Sequence, residues 1–152
     1  MKFNHFLLLL TTLIATVLGQ IPYRVKVSIN PGFATSWAVD ETGGVVLEEI
    51  GNLWILEFHG FRGFRISPDN HEDKAVRCNG LGKQLTIEPR EEKPDQIWHI
   101  HGPIDGPIFD VPVAIRSDLK FPVMFAALNE GSNKVVAGED NRRQWIIRPI
   151  LE

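Results

Sequence analysis

Three tryptophans recur at nearly equal intervals along the chain. Trp54, Trp98 and Trp145 are 44 and 47 residues apart, and each is followed two places later by an aliphatic residue. Because side chains on a strand alternate between two faces, each indole shares a face with that aliphatic residue. The regular spacing indicates an internal repeat, which limits the possible architectures more than any single motif does.

Each tryptophan follows a second short β-rich segment, and the connection between the two varies in length. These segments cover residues 44–47, 83–87 and 134–137. Loops tolerate such variation, so a common unit with different connections explains it. Two further strands complete each unit. The predicted strands are 23–29, 33–39, 45–49 and 53–58 in the first unit, 63–67, 75–78, 84–87 and 97–101 in the second, and 108–115, 122–128, 134–137 and 144–148 in the third.

The pattern after residue 19 favours an all-β domain. It contains no convincing apolar period of 3.6 residues, and its short alternating runs are separated by Gly, Pro, Asn and Asp. Three four-stranded units, at about 20–58, 59–102 and 103–152, that close on one another without free edges describe a β-trefoil with pseudo-threefold symmetry. An up-and-down barrel or a sandwich does not account for the threefold tryptophan period.

The first nineteen residues predict a secretory signal peptide. A short basic start with Lys2 precedes an apolar run over residues 6–17, which is too short to span a bilayer comfortably. Small residues at Val17 and Gly19 predict cleavage before Gln20. Residues 20–152 then form one secreted, extracellular domain, since a chain of this size buries a single core.

Charge and cysteine content narrow the partners and the source of stability. Without the signal peptide the chain has 15 basic and 19 acidic residues, a net charge of −4 that argues against a nucleic-acid or membrane partner. Cys78 is the only cysteine, so no intrachain disulfide is possible. We interpret it as a buried core residue, with a free thiol or an intermolecular bridge as the alternatives, and expect a monomer.

The residues before each tryptophan resemble a known motif. Gln96-Ile97-Trp98 matches the Gln-x-Trp signature of ricin B-type β-trefoils, residues 52–54 are a near match, and residues 143–145 shift the glutamine by one. In those lectins the motif belongs to the core, so the likeness concerns the fold. Residues 142–149 and the disulfide-free repeats also resemble the fungal β-trefoil protease inhibitors of the cospin and mycocypin type, within the wider Kunitz-like group.

The second resemblance implies an inhibitor of serine endopeptidases, and the predicted signal peptide implies that it is secreted. Such inhibitors hold a preordered loop in the protease cleft, and a trypsin-like target requires an exposed Arg or Lys because its specificity pocket carries a carboxylate. Two loops offer one. Arg90 lies between prolines in 89–94, although the glutamates that follow it suit such enzymes poorly. Arg62 lies at the tip of 59–63, where glycines predict a more flexible backbone.

A glycan-binding module is the alternative, with a non-catalytic secreted interaction protein as a third possibility. Sugar recognition needs an acidic group for hydroxyls and an aromatic ring for the apolar face, and Trp37 with Asp40 is the pair we identify. Trp37 has a second interpretation, as a core residue of the second strand. Residues 40–44 have the composition of a hairpin turn.

No motif indicates an enzyme or a cofactor. The chain lacks a nucleophile elbow, a zinc-binding His-Glu-x-x-His helix and a phosphate-binding loop. His99 and His101 share a strand face and could ligate a metal with His59 or Asp105, but surface histidines on a barrel account for them better. We therefore predict no catalytic residue, no metal and no cofactor.

Overall fold

The computed structural model describes residues 23–104 and 106–151, so the predicted signal peptide lies outside the described residues. In these residues the chain forms strands joined by short turns, including two 3-10 turns at Gly60–Arg62 and Pro94–Gln96, and no helix there is long and apolar enough to cross a membrane. The strands are β1 Arg24–Asn30, β2 Ser36–Val39, β3 Val45–Glu48, β4 Trp54–Phe58, β5 Phe64–Pro68, β6 Lys74–Arg77, β7 Thr86–Pro89, β8 Trp98–His101, β9 Pro112–Ser117, β10 Phe125–Leu128, β11 Val135–Gly138 and β12 Trp145–Pro149.

Six of these strands close into an antiparallel barrel. β1 pairs with β4, β4 with β5, β5 with β8, β8 with β9, β9 with β12, and β12 returns to β1. The closing register places Ser28 opposite Arg148. A closed sheet has no free edge, so every barrel strand finds hydrogen-bond partners on both sides.

The other six strands form three hairpins, β2–β3, β6–β7 and β10–β11. Their second halves are joined to one another by backbone hydrogen bonds. The Val45 N–H donates to the Leu85 carbonyl at 2.8 Å, and the Leu85 N–H donates to the Val135 carbonyl at 2.9 Å. All three side chains are fully buried, so the hairpins meet through apolar residues.

The recurring tryptophans make the same contact three times. Each opens a barrel strand that follows a hairpin, and each indole is fully buried. The Nε1–H of Trp54 donates to the carbonyl of residue 37 at 3.2 Å, that of Trp98 to residue 76 at 3.0 Å, and that of Trp145 to residue 126 at 3.0 Å. The acceptors lie on β2, β6 and β10, so each indole ties a barrel strand to a hairpin. Most buried indoles in proteins find such an acceptor, and all three of these do.

Three strands begin three or more residues later than predicted, because the residues before them bend. β2 begins at Ser36 rather than at residue 33, since the chain turns at Gly32, whose φ is +93°. β10 begins at Phe125 rather than at residue 122, where a proline has no N–H for a sheet ladder. β9 begins at Pro112 rather than at residue 108.

Cys78 is buried in the core, as its sequence interpretation predicted. Its side chain is 2% exposed and packs near Met124, with 4.0 Å between the two sulfurs. The described fold therefore depends on burial and backbone pairing without a disulfide.

Candidate functional site

Two open clefts lie beside corresponding hairpin turns. The Asp40 N–H donates to the Gly44 carbonyl at 2.9 Å, and the Asn129 N–H donates to the Lys134 carbonyl at 3.1 Å. Asp40 follows β2 directly and Asn129 follows β10 directly, so the two residues open equivalent turns. We name the cavities next to them the β2–β3 cleft and the β10–β11 cleft.

The β10–β11 cleft is the larger, with a volume of about 750 Å³. Its walls are the hairpin turn and the loop that leads to Trp145, and small residues such as Ala127 and Gly138 line it between them. Asp140 and Arg142 are both well exposed in the loop wall, and the Arg142 Nε lies 3.2 Å from the Asp140 Oδ2. The cleft therefore presents acceptors and donors side by side to solvent.

The β2–β3 cleft has a volume of about 290 Å³ and contains Asp40, Asn52 and Lys74 among its lining residues. Asn52 Oδ1 accepts the Val39 N–H at 2.8 Å, which fixes the orientation of the amide. Asp40 Oδ1 accepts from the Thr42 hydroxyl at 2.6 Å and from two backbone N–H groups. The hydrogen bond from the Thr42 hydroxyl is the main reason that the pKa of Asp40 lies below its ordinary value. Asp40 thus stays ionised, and it forms the hairpin turn that the sequence predicted.

Trp37 does not join Asp40 in a sugar-binding pair. Its ring is fully buried and packs edge-on against Trp54 at 5.9 Å and against Trp145 at 5.2 Å between centroids. β2 alternates, so the side chain of residue 37 points into the core while Asp40 lies in the turn beyond the strand. The core interpretation of Trp37 is the correct one, and no Phe, Tyr or Trp is among the lining residues of the β2–β3 cleft.

Arg90 does not project from its loop as a protease inhibitor would require. Its Nη2 lies 2.9 Å from Glu57 Oε1 on β4, its backbone N–H donates to the Asp73 carbonyl at 3.0 Å, and its side chain is only 30% exposed. The loop is held by these contacts, and they place the Arg90 guanidinium against the barrel.

Glu57 is the centre of a charged cluster at this place. Its Oε1 also lies 2.7 Å from His59 Nε2 and 3.5 Å from Arg65 Nη1. Burial by itself raises the pKa of Glu57, but the hydrogen bond and charge of Arg90, followed by those of His59, outweigh burial and hold the pKa below its ordinary value. We call these four residues the Glu57 cluster. No sequence pattern predicted this cluster, because its members lie up to 33 residues apart.

Arg62 ends the 3-10 turn Gly60–Arg62 that connects β4 to β5, and its side chain lies outside the described residues. The turn is closed by hydrogen bonds from the His59 N–H to the Gly63 carbonyl at 2.8 Å and from the Gly63 N–H to the Gly60 carbonyl at 3.2 Å. Gly63 has a φ of +98°, and a Cβ there would meet the Trp98 carbonyl oxygen at 2.5 Å. The glycines are therefore required by the turn and do not loosen it.

His59 and His99 form hydrogen bonds with different carboxylates. His99 Nε2 lies 2.7 Å from Asp118 Oδ1, while His59 belongs to the Glu57 cluster. Burial, with the nearby charges of Arg116 and His99, lowers the pKa of His101. Within residues 23–104 and 106–151 no group of three or more His, Cys, Asp or Glu side chains is placed to hold a metal ion, and Asp105 lies outside these residues.

Comparison with known proteins identifies the fold. No family model and no curated protein matches the chain. Among solved structures, the lysenin pore is similar over 84% of this chain with a TM-score of 0.66 and 15% identity, but the chain spans only 47% of lysenin. The designed threefold-symmetric protein ThreeFoil matches over 82% of this chain and 99% of its own, with a TM-score of 0.62 and 12% identity.

A third similar structure is the β-trefoil lectin of the Vibrio vulnificus hemolysin/cytolysin with N-acetyl-D-lactosamine bound. It matches over 88% of this chain and 97% of its own, with a TM-score of 0.52 and 16% identity. Together with the closed six-stranded barrel, these likenesses show that the chain has a β-trefoil fold. They do not confirm the resemblance to the fungal protease inhibitors.

Proposed function

We propose that this protein is a secreted, non-catalytic glycan-binding protein made of three four-stranded units, and that it recognises sugars at the β2–β3 and β10–β11 clefts. The observation that carries the proposal is the correspondence of the two clefts. Both lie beside equivalent hairpin turns, and both combine a carboxyl group with basic and amide groups.

The chemistry of the clefts suits sugar hydroxyls. A hydroxyl donates one hydrogen bond and accepts others, so neighbouring hydroxyls need acceptors and donors side by side. Asp140 and Arg142 provide this combination in one cleft, and Asp40 with Lys74 provides it in the other. Neither cleft has a Phe, Tyr or Trp lining residue on which a sugar ring can stack, so each is expected to bind weakly by itself. Two sites on one domain increase the avidity for a multivalent surface.

The similar Vibrio vulnificus structure supports this proposal, because it is described as a lectin with N-acetyl-D-lactosamine bound. Its length is also comparable, since the likeness covers 97% of that chain. A single β-trefoil domain is thus large enough to bind a neutral saccharide by itself.

A glycan array with the mature protein, followed by affinity measurements on its best ligand, tests the proposal. The double substitution Asp140→Ala with Arg142→Ala is expected to weaken binding about tenfold or more, because charge-assisted hydrogen bonds contribute about 1.5–3 kcal/mol each. Lys120→Gln is the matched control, since Lys120 is exposed and lies in neither cleft. An array without signal would contradict the proposal, as would a ligand whose affinity is the same for the double variant.

Protease inhibition is the second candidate, and the turn at 59–63 favours it. Phe61 is fully exposed at the tip, and two backbone hydrogen bonds close the turn behind it. A loop that is ordered before binding loses little conformational entropy in a protease cleft. We expect Arg62→Ala to abolish inhibition of a trypsin-like protease and Arg90→Ala to retain it, as measured by residual protease activity. If micromolar protein inhibits neither serine nor cysteine proteases, this candidate function is wrong.

A further inference from the structure

A third cleft lies on the flank of the barrel, away from the hairpin turns. It has a volume of about 390 Å³ and is lined by β1, by the connection to β2 and by Arg148 of β12. We call it the flank cleft. Its polar lining side chains are those of Ser28, Asn30, Ser36 and Arg148, and Phe33 contributes the aromatic ring.

Strand alternation places the polar residues together. Val27 and Ile29 are fully buried in the barrel, so Ser28 and Asn30 point to its outer face. Ser28 is directly opposite Arg148 in the register of β1 with β12. Opposed residues in an antiparallel pair have Cβ atoms about 5 Å apart, so the aliphatic part of the Arg148 side chain lies beside Ser28.

Among the described residues, the polar side chains of the flank cleft have hydrogen-bond donors that no acceptor pairs with. In the described part of the chain, Arg148, Ser28 and Ser36 make no side-chain hydrogen bond or ion pair. Asn30 is only 6% exposed, and its Oδ1 accepts the Gly32 N–H at 3.1 Å. Among the described residues no acceptor pairs with its Nδ2, while the hydrogen bond from Gly32 holds the amide in place.

No acidic residue lines the flank cleft, in contrast to the two hairpin clefts. On a chain whose net charge is negative, an arginine without a carboxylate partner stands out as an anion site. The guanidinium carries several N–H donors in a fixed plane that matches the two oxygens of a carboxylate or a sulfate.

Phe33 provides the other half of the cleft. Its side chain is 62% exposed, and it follows Gly32, whose positive φ turns the chain between β1 and β2. An exposed ring beside polar donors offers an apolar surface to a ligand that has both an apolar face and polar edges. A sugar ring has this combination of surfaces.

We propose that the flank cleft binds an oxyanion carried on a sugar ring, either the carboxylate of a uronic acid or a sulfate ester. Arg148 holds the oxyanion as a bidentate partner, and Ser28 with the Asn30 Nδ2 donates further hydrogen bonds to it. The ring packs on Phe33. This site is separate from the hairpin clefts and does not depend on neutral-glycan binding there.

The test is a set of titrations of the mature protein, followed by NMR and calorimetry, with four probes: methyl glucuronide, glucose 6-sulfate, methyl glucoside and inorganic sulfate. At least one of the two anionic sugars is expected to bind saturably and to shift the amide signals of Ser28 and Arg148. Whether methyl glucuronide, glucose 6-sulfate or both bind identifies which oxyanion the cleft recognises. Neutral methyl glucoside is expected to leave those signals unchanged.

Three variants assign the contacts. Arg148→Gln is expected to weaken the anionic sugar about tenfold or more, since it removes a charge-assisted pair. Arg148→Lys is expected to recover part of that loss, because it restores the charge without the planar fork. Phe33→Ala is expected to lower the affinity for the anionic sugar and to leave the affinity for inorganic sulfate unchanged. Lys120→Gln, an exposed cation outside the flank cleft, is the matched control.

Two results would overturn the proposal: no saturable binding of either anionic sugar, or equal affinity in wild type and Arg148→Gln. Thermal unfolding of each variant verifies that it is folded, which is expected because the substituted side chains are solvent-exposed. The variant with Asp140→Ala and Arg142→Ala separates the two sites, since it is expected to retain the anionic sugar. Failure at the flank cleft is thereby distinguished from failure at the hairpin clefts.

Discussion

Replacing Trp98 with alanine is expected to lower the free energy of unfolding by about 3–5 kcal/mol. The indole is fully buried, and its Nε1–H donates to the Val76 carbonyl at 3.0 Å. The substitution leaves a cavity where β8 meets the β6–β7 hairpin and deprives a buried carbonyl of its donor. Since a small domain has about 5–15 kcal/mol of stability in total, the variant is expected to be largely unfolded near body temperature.

Urea denaturation followed by circular dichroism measures this effect, and two controls separate its parts. Trp98→Phe keeps most of the apolar volume and loses the Nε1–H, so a loss of about 1–3 kcal/mol is expected. Phe121→Ala removes a ring that is 93% exposed, and its effect is expected to stay within about 0.5 kcal/mol. If Trp98→Ala and Phe121→Ala have equal stability, the buried indoles do not hold the hairpins to the barrel.

Replacing Glu57 with glutamine is the second large effect, with an expected loss of about 3 kcal/mol at neutral pH. Within the described residues the substitution removes the only carboxylate that Arg90 and His59 contact, and it removes one of the two acidic partners of Arg65. An uncompensated charge in a largely buried position costs more than the pair contributes, so removing one partner is severe. Glu49→Gln, on an exposed glutamate without an ion pair, is the matched control.

The loss of unfolding free energy caused by Glu57→Gln should become smaller as the pH falls. The pKa of Glu57 is lower in the folded chain than its ordinary value, so the unfolded state binds this proton more readily. The contribution of Glu57 is therefore complete above the pKa of the unfolded chain and disappears as the pH falls through the folded pKa. We expect the difference in unfolding free energy between wild type and Glu57→Gln to be largest near neutrality and to shrink in acid. A difference that stays constant down to strongly acidic pH would contradict the assignment of Arg90 and His59 as partners of an ionised carboxylate.

The candidate site residues show how far sequence reasoning reaches. The turn at residues 40–44 was predicted because an acidic residue followed by two glycines has local turn chemistry, and Asp40 indeed bonds within four residues of itself. Arg90 was predicted to stand out because its flanking prolines restrain the backbone. Its actual partner is Glu57, and no local sequence pattern predicts a contact between residues that are 33 positions apart.

Local residue patterns were sufficient to predict the order of the strands, the main turns and the recurring indoles. These features depend on backbone alternation and local turn chemistry, which act within a few residues. Which side chains are available for binding depends instead on the tertiary structure. Trp37 turns inward, Arg90 joins the Glu57 cluster, and Arg148 lies beside Ser28 with no carboxylate partner among the described residues. No local pattern predicts these contacts, because a closed barrel brings together strands from opposite ends of the chain, here β1 and β12.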